Sequence, residues 1–365
     1  MRNLLPSLVL LLSLAAPAGA GPMGVEDVLS TRYVRELSVS PDGRWLAWTL
    51  QRPDEKANER VDDLWRIDLA DDGAEPLRLT REVDVGGLAW SPDSRWIGFL
   101  AEGTAEDGKG EPQVWRVRPD GGAVEPLTER ESGVEGFAWA GPSRLLLWAE
   151  EGEGLGDRLR EAAEDDVRVV EDAATWKAVR LFSLDPETGT LERLSHNDDR
   201  IDAVWPDPAG RACVVRHITS IQHASQVGGP WPEYVLMPLD GGEPRPVFEE
   251  PTFAPDRVAF SEDGRSLLAS WTWSRLTTEE LRSGAGIETL WEVDLESGER
   301  HRIDGAPLGL ADHITGPAWT LTHRGILAVL ADRTHGLPVL LQRKGGKWKR
   351  YELEAEAVSY THLRA

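Results

Sequence analysis

The feature that most constrains the fold is a short polar turn that recurs along the chain before dense apolar runs. It is clearest as Ser40-Pro41-Asp42-Gly43, Ser91-Pro92-Asp93-Ser94 and Ser261-Glu262-Asp263-Gly264. Proline presets φ for the second position of a turn, Asp bonds nearby backbone, and Gly accepts the positive φ that reverses the chain. We therefore assign a structural role in blade hairpins to Ser40, Pro41, Asp42, Gly43, Ser91, Pro92, Asp93, Ser261, Asp263 and Gly264.

The spacing of these repeats predicts a β-propeller. Six anchors are separated by 49 to 66 residues, namely Val39, Trp90, Trp139, Trp205, Phe260 and Trp319. A second hairpin follows the first in each repeat, which gives four strands per repeat. We predict an all-β fold of about six four-stranded blades between residues 34 and 356.

The strand after each turn is apolar on both faces. Trp45, Leu46, Ala47 and Trp48 are consecutive in the first repeat. Because neighbouring strand residues point to opposite faces, both faces of this strand must be covered. A blade stacked between two other blades meets that condition.

The first residues have the pattern of an export signal. A positive charge at Arg2, an apolar run from Leu8 to Leu14 and a small-residue end at Ala18 to Ala20 predict a signal peptide over residues 1–20. The apolar run is too short to span a membrane, and no later run approaches the ~18 apolar residues required. We expect a periplasmic or secreted protein with no membrane span, in which residues 21–33 form a short helical lead.

Composition argues against several classes of partner. With 63 acidic and 40 basic side chains, the net charge of −23 opposes binding to nucleic acid. The one basic cluster, residues 343–350, is typical of a solvated hairpin.

Cys213 has no partner for an internal disulfide and is expected to be buried. The histidines lack the spacing of a metal site, and Asp198-Asp199 is typical of a plain turn, so we expect no metal and no cofactor.

Two segments resemble a known family. Residues 25–48 are similar to the lead and first blade of the prolyl oligopeptidase family of serine peptidases, in its dipeptidyl peptidase and acylaminoacyl peptidase branches. Residues 150–176 are similar to the third-blade insertion of such proteins, with a helix predicted from Asp157 through Glu164 and a strand over Val167 to Val170. The insertion either reaches toward a partner domain or is a solvated acidic excursion. The resemblance covers roughly residues 25–356.

The resemblance implies a propeller of seven or eight blades that caps an α/β-hydrolase domain and admits small peptides. The nucleophile elbow G-x-S-x-G is absent from these 365 residues, so no catalytic residue is assigned. We expect the substrate-gating propeller of an exported serine peptidase, inactive alone, which meets peptide substrates through the missing hydrolase domain. The adjacent Glu150 and Glu151 could anchor a substrate ammonium group, but a solvated turn is the alternative.

Two further expectations concern the ends of the propeller. A ring of six blades is incomplete beside seven or eight, so an exposed blade face could support self-association. Residues 357–365 lack the propeller pattern and are expected to be a foreign or disordered tail. The alternative function is a complete, stand-alone six-bladed periplasmic binding or scaffold propeller with TolB-like or WD-type repeats, because TolB-like proteins share the Trp-Ser-Pro-Asp-Gly turn. TolB proteins carry an α/β domain before the propeller, which disfavours this alternative.

Overall fold

The computed structural model describes residues 24, 27, 29–54, 58–81, 83–102, 110–151, 177–219, 231–248, 255, 257–273, 287–304, 309–310, 318–322, 324–332, 335–353 and 357–358. The predicted signal peptide and the predicted elements of the insertion lie outside these residues. Of the predicted helical lead, Asp27 and Leu29 are helical. Within the described part of the chain, no helix is long and apolar enough to cross a membrane.

The described strands form six blades, each an antiparallel sheet of four strands in sequence order. Blade 1 contains β1 (Tyr33–Val39), β2 (Trp45–Asp54), β3 (Glu59–Asp68) and β4 (Leu77–Arg78). Blade 2 contains β5 (Gly86–Trp90), β6 (Ile97–Glu102), β7 (Pro112–Val117) and β8 (Glu125–Pro126). Blade 3 contains β9 (Gly136–Trp139), β10 (Leu145–Glu150), β11 (Val179–Leu184) and β12 (Leu191–Arg193).

The other three blades repeat this plan. Blade 4 contains β13 (Arg200–Pro206), β14 (Ala212–Ile218), β15 (Glu233–Pro238) and β16 (Arg245–Pro246). Blade 5 contains β17 (Arg257–Phe260), β18 (Ser266–Trp273), β19 (Ile287–Asp294) and β20 (Arg300–Arg302). Blade 6 contains β21 (Trp319–Thr322), β22 (Gly325–Asp332), β23 (His335–Lys344) and β24 (Lys347–Glu352). The predicted all-β propeller of four-stranded blades is confirmed.

The first strand of each blade is the innermost one. Strand β5 lies beside β1 and β9, and β13 lies beside β9 and β17, so these strands line the centre of the propeller. All of them begin at the same end of the molecule, here called the entry face, because each is reached by the connection from the previous blade. Each hairpin turn that follows an innermost strand lies at the other end.

The core consists of five apolar clusters, one between each pair of successive blades. Adjacent residues on one strand join different clusters, as Leu145 and Leu147 pack toward blade 2 whereas Leu146 packs toward blade 4. In blade 5, Leu267 packs toward blade 4 and Leu268 toward blade 6. This alternation is the expected consequence of strands that are apolar on both faces.

The outer faces of blades 1 and 6 differ from the inter-blade faces. In blade 1, the side chains of Val34, Leu37 and Val39 are 50%, 64% and 50% exposed. In blade 6, Leu327 is 37% exposed. Among the residues that the structure describes, no buried cluster joins blade 6 to blade 1.

Two pairings depart from the simple plan. Blades 3 and 4 are joined into one sheet by a parallel bridge between Val179 of β11 and Arg200 of β13. A short strand, β25 (Ala357–Val358), pairs with His335 and Gly336 at the beginning of β23. The sequence placed these two residues in the tail of residues 357–365, of which 359–365 lie outside the described residues.

Candidate functional site

The predicted turn residues form hairpins that close between the first and second strands. In blade 1, the Ser40 hydroxyl donates to Asp42 Oδ1 over 2.5 Å and accepts the Trp45 amide proton over 2.9 Å. Gly43 has a φ of +74° and its amide donates to Ser40 O. The preset φ of Pro41 fits the second position of this turn. These side chains are occupied in local bonds, as expected for a structural role.

The same bonds recur in the other two turns. Ser91 donates to Asp93 over 2.7 Å, and Ser261 donates to Asp263 over 2.7 Å. Gly264 has a φ of +71°, whereas Ser94 adopts a φ of +60° at the corresponding position after Pro92. Ser94 Oγ also accepts the Asp42 amide proton over 3.1 Å, which joins the turns of blades 1 and 2. All of these predicted residues lie at the end of the propeller opposite the entry face.

A cavity among the described residues opens instead at the entry face, between blades 2 and 3. It has a volume of about 700 Å³ and is lined by two kinds of residue. Its apolar wall includes Leu100, Ala101, Pro112 and Val134. Its carboxylates are Asp84, Glu102, Glu111, Glu135 and Glu150. We call this cavity the acidic pocket.

The carboxylates reach the pocket because of where their strands end. Glu102 and Glu150 are the last residues of β6 and β10, the second strands of their blades. Asp84 and Glu135 lie in the connections that lead into β5 and β9. Asp84 Oδ1 also accepts the Asp62 amide proton over 2.8 Å, which holds this carboxylate at the pocket rim.

One arginine from the next blade bridges two of these carboxylates. The Nη1 atom of Arg200 lies 2.8 Å from Glu150 Oε1, and its Nη2 atom contacts Glu135 Oε1. Partial burial raises the pKa of Glu135, Arg200 opposes this rise, and the negative charge of Glu150 adds to it. Among the described residues, Glu102 and Glu111 have no ion pair. Counting the described residues alone, the pocket has more carboxylates than cations beside an apolar wall, a combination that suits a cationic group on an alkyl chain.

The structure corrects the interpretation of Glu150 and Glu151. Neither is a free anchor or a solvated turn, because Glu150 pairs with Arg200 and Glu151 pairs with Arg180 and Arg193 over 2.6 and 2.8 Å. Hydrogen bonds from these two arginines lower the pKa of Glu151. Glu151 lies outside the acidic pocket, so only Glu150 is positioned to face a ligand there.

Asp198-Asp199, which was predicted to be a plain turn, includes one carboxylate that makes specific hydrogen bonds. Asp199 Oδ1 lies 2.8 Å from His217 Nδ1 and accepts a hydrogen bond from Asn197 over 2.7 Å. Burial acts to raise the pKa of Asp199, but the bonds to His217 and Asn197 together outweigh it, so the pKa is lowered. His223 lies outside the described residues, and within those residues no group of three or more possible ligands could hold a metal.

The two remaining sequence features have structural partners or are buried. The basic cluster lies on the β23–β24 hairpin, where Arg343 pairs with Glu292 of blade 5 over 2.8 Å. Cys213 is fully buried, and burial raises the pKa of its thiol to about 12.

Comparison with known proteins supports the fold. No family model matches the chain. The uncharacterized protein Atu1656 of Agrobacterium fabrum is 35% identical over 94 residues, which are 26% of this chain and 28% of that protein. The acylaminoacyl peptidase of Pyrococcus horikoshii superposes with a TM-score of 0.59 at 14% identity, over 89% of this chain. This chain thus spans about half of that peptidase, since the match covers 47% of its length.

Two further solved structures have the same architecture. The β-propeller domain of the Trilobed protease from Pyrococcus furiosus has a TM-score of 0.54 at 13% identity, over 88% of this chain and 83% of that one. A structure from an analysis of two prolyl endopeptidases has a TM-score of 0.57 at 11% identity, over 90% of this chain and 44% of the other. At these identities the likeness establishes the fold: the chain is a β-propeller similar to those of acylaminoacyl and prolyl peptidases.

Proposed function

We propose that the chain is the substrate-gating propeller of an exported serine peptidase that cleaves small peptides. The serine, histidine and carboxylate of catalysis would come from an α/β-hydrolase domain outside these 365 residues. The propeller would restrict access and make the first contacts with peptides. Export rests on the signal-peptide pattern of residues 1–20.

The observation that carries this proposal is the acidic pocket at the entry face. A peptide offers a cation at its amino terminus and in every lysine or arginine side chain. Glu102 and Glu111 would attract such a group, and the wall formed by Leu100 and Val134 would contact its methylene groups. The similarity to peptidase propellers supports the same proposal at the level of fold.

Binding of cationic peptides tests the role of the pocket. We expect Lys-Ala-Ala to bind the 365-residue protein more tightly than acetyl-Ala-Ala-Ala. The second peptide lacks both the amino-terminal charge and the charged lysine side chain. Glu102→Gln combined with Glu111→Gln should weaken the binding of Lys-Ala-Ala several-fold, because both carboxylates are exposed and exposed ion pairs contribute about 0.2–1 kcal/mol each. Glu296→Gln, an exposed residue of the β19–β20 turn, is the matched control and should leave affinity unchanged.

Peptidase chemistry needs a second experiment. We expect the 365-residue protein to show no labelling by a fluorophosphonate and no cleavage of dipeptidyl, acyl-aminoacyl or prolyl chromogenic peptides. A protein in which the natural downstream reading frame replaces residues 357–365 should show both signals. If that extended protein is neither labelled nor active, the peptidase proposal fails and the stand-alone TolB-like binding or scaffold propeller replaces it.

A further inference from the structure

Blade 6 ends in an outer strand unlike those of the other five blades. Strand β24 contains six residues, whereas β4, β8, β12, β16 and β20 contain two or three. In the described part of the chain, β24 pairs only with β23, and the short β25 pairs with β23 as well. Lys347, Lys349 and Arg350 are exposed, and Tyr351 is 38% exposed. This edge is therefore the longest open outer edge of the described blades.

The register of the β23–β24 hairpin fixes which backbone groups of this edge are free. Lys344 and Lys347 pair across a two-residue turn, Gly345-Gly346, in which φ is +61° and +76°. In such a hairpin the residues that flank the turn exchange both hydrogen bonds, and bonded pairs then alternate along the ladder. The N–H and C=O groups of Arg350 and Glu352 therefore point away from β23, where an added strand can bond to them.

The hairpin is fastened to blade 5. Arg343 Nη1 lies 2.8 Å from Glu292 Oε1, and Trp348 Nε1 donates to Glu292 Oε2 over 2.8 Å. Trp348 also packs against the apolar cluster between blades 5 and 6. The edge is thus ordered before a partner binds, which lowers the entropic cost of adding a strand to it.

The charge of this edge is opposite to that of the whole protein. Residues 343–350 contain five basic side chains and no acidic one, in a chain with a net charge of −23. Lys347 and Lys349 have no ion pair within the described part of the chain. Side chains two residues apart on a strand lie on one face, so these two lysines present neighbouring charges beside the open edge.

Lysines on an outer strand also have a protective role, because they prevent two exposed edges from pairing. Short length and proline are other devices with this effect, and β8 and β16 use both, since each has two residues and ends in proline. Strand β24 uses neither, so its backbone stays available. Its lysines repel a second basic edge but attract an acidic strand, which makes the edge selective rather than closed.

We propose that β24 is a docking site for an extended acidic segment of another protein, which adds as a further strand beside it. Backbone groups of the segment bond to the open edge, and carboxylates at alternate positions of the segment face Lys347 and Lys349. The proposal does not rest on the proposed peptidase function.

Calorimetric titration of the full chain with hexapeptides tests the site. We expect acetyl-Glu-Thr-Glu-Thr-Glu-Thr-amide to bind several-fold more tightly than acetyl-Gln-Thr-Gln-Thr-Gln-Thr-amide, which lacks its charges. Lys347→Glu combined with Lys349→Glu should weaken the binding of the acidic peptide several-fold, because two attractions become repulsions. Arg95→Glu combined with Arg265→Glu is the matched control, since it reverses two exposed charges on turns of blades 2 and 5.

Backbone methylation of the peptide separates strand addition from charge attraction alone. The N–H groups of successive residues point to opposite edges of a strand, so N-methyl groups on only the Glu or only the Thr residues block one edge. We expect one of these two methylated peptides to lose binding and the other to retain it.

Three results would overturn the proposal. Retained binding by both methylated peptides would mean charge attraction without strand addition. Equal affinity for the Glu and Gln peptides, or wild-type affinity in the double lysine variant, would place the binding elsewhere. A dimeric wild type and a monomeric double lysine variant in sedimentation equilibrium would assign the edge to a second copy of this chain. None of these measurements needs peptidase activity, so failure of the peptidase proposal would be seen separately.

Discussion

Arg200 of blade 4 lies with its Nη1 atom 2.8 Å from Glu150 Oε1, the last residue of a blade 3 strand. The same guanidinium contacts Glu135, so one side chain neutralises part of the acidic pocket from outside the two blades that form it. This bridge couples the charge of the pocket to the packing of blade 4 on blade 3.

Arg200→Gln should destabilise the protein and strengthen cation binding. The three side chains are 29–34% exposed, so we expect a loss of about 1–2 kcal/mol, between the values typical of surface and buried pairs. Lys-Ala-Ala should bind more tightly because two carboxylates lose their internal cation. Urea denaturation and calorimetry measure the two effects. Arg350→Gln, which removes a more exposed pair with Glu352, should change neither.

Binding of a cationic peptide should weaken on acidification at an unusually high pH. The pKa of Glu135 is raised above the ordinary value of 4.5, so this carboxylate loses its charge before an exposed glutamate does. Calorimetry of Lys-Ala-Ala binding against pH should therefore show a midpoint above 4.5, which Glu135→Gln should move downward. A midpoint that is unchanged in this variant would assign the titration to another group.

Ionisation of Glu135 favours the binding of a cationic peptide but lowers the stability of the folded protein. Above its folded pKa, the ionised carboxylate destabilises the native state, because the native state binds its proton more tightly than the unfolded chain does. This destabilisation is relieved as the pH falls toward 4.5. At pH values above the folded pKa of Glu135, the Glu135→Gln variant should therefore be more stable than the wild type. A parallel measurement on Arg200→Gln corrects for the contact with Arg200 that this substitution also removes.

Gly43→Val should cost about 1–2 kcal/mol, because a β-branched residue resists the φ of +74°. Nothing lies within 4 Å of an added Cβ at this position, so the loss would come from the backbone rather than from a clash. Gly86→Ala is the control, since its Cβ is equally unobstructed and no positive φ is involved. Equal melting temperatures for both variants and the wild type would contradict the argument.

Self-association should depend on the outer face of blade 1. We propose that Val34, Leu37 and Val39 provide its apolar contact, because they are at least 50% exposed along one strand. Leu37→Glu should lower the average mass in sedimentation equilibrium. Leu191→Glu changes a residue of blade 3 that is 41% exposed and should have no such effect. A wild-type protein that is monomeric at all concentrations would refute the proposal.

The sequence was sufficient for the fold because each blade carries its own local signals. The Ser40 hydroxyl and Asp42 Oδ1 make these bonds within five residues, so a short stretch of sequence specifies the turn. The apolar runs specify two buried faces, and the structure places a cluster between each pair of blades that are successive in the chain.

The acidic pocket was not predicted, because its residues are distant in sequence. Glu102 and Glu150 occupy equivalent positions at the ends of β6 and β10, and comparing repeats position by position could have revealed that signal. The role of Arg200 depends on how blade 4 packs on blade 3, which no local pattern specifies. The hydrogen bond from Arg257 to the Trp319 carbonyl oxygen likewise joins two blades, and no local pattern specifies it.

The parallel bridge between Val179 and Arg200 has a consequence for how the molecule opens. Blades in a repeat architecture can unfold individually when only side chains join them, but here a backbone hydrogen bond from Val179 N to Asp199 O, 3.1 Å long, crosses the boundary. Blades 3 and 4 should therefore behave as one cooperative unit, and amide protons in β11 and β13 should exchange with solvent at matching rates.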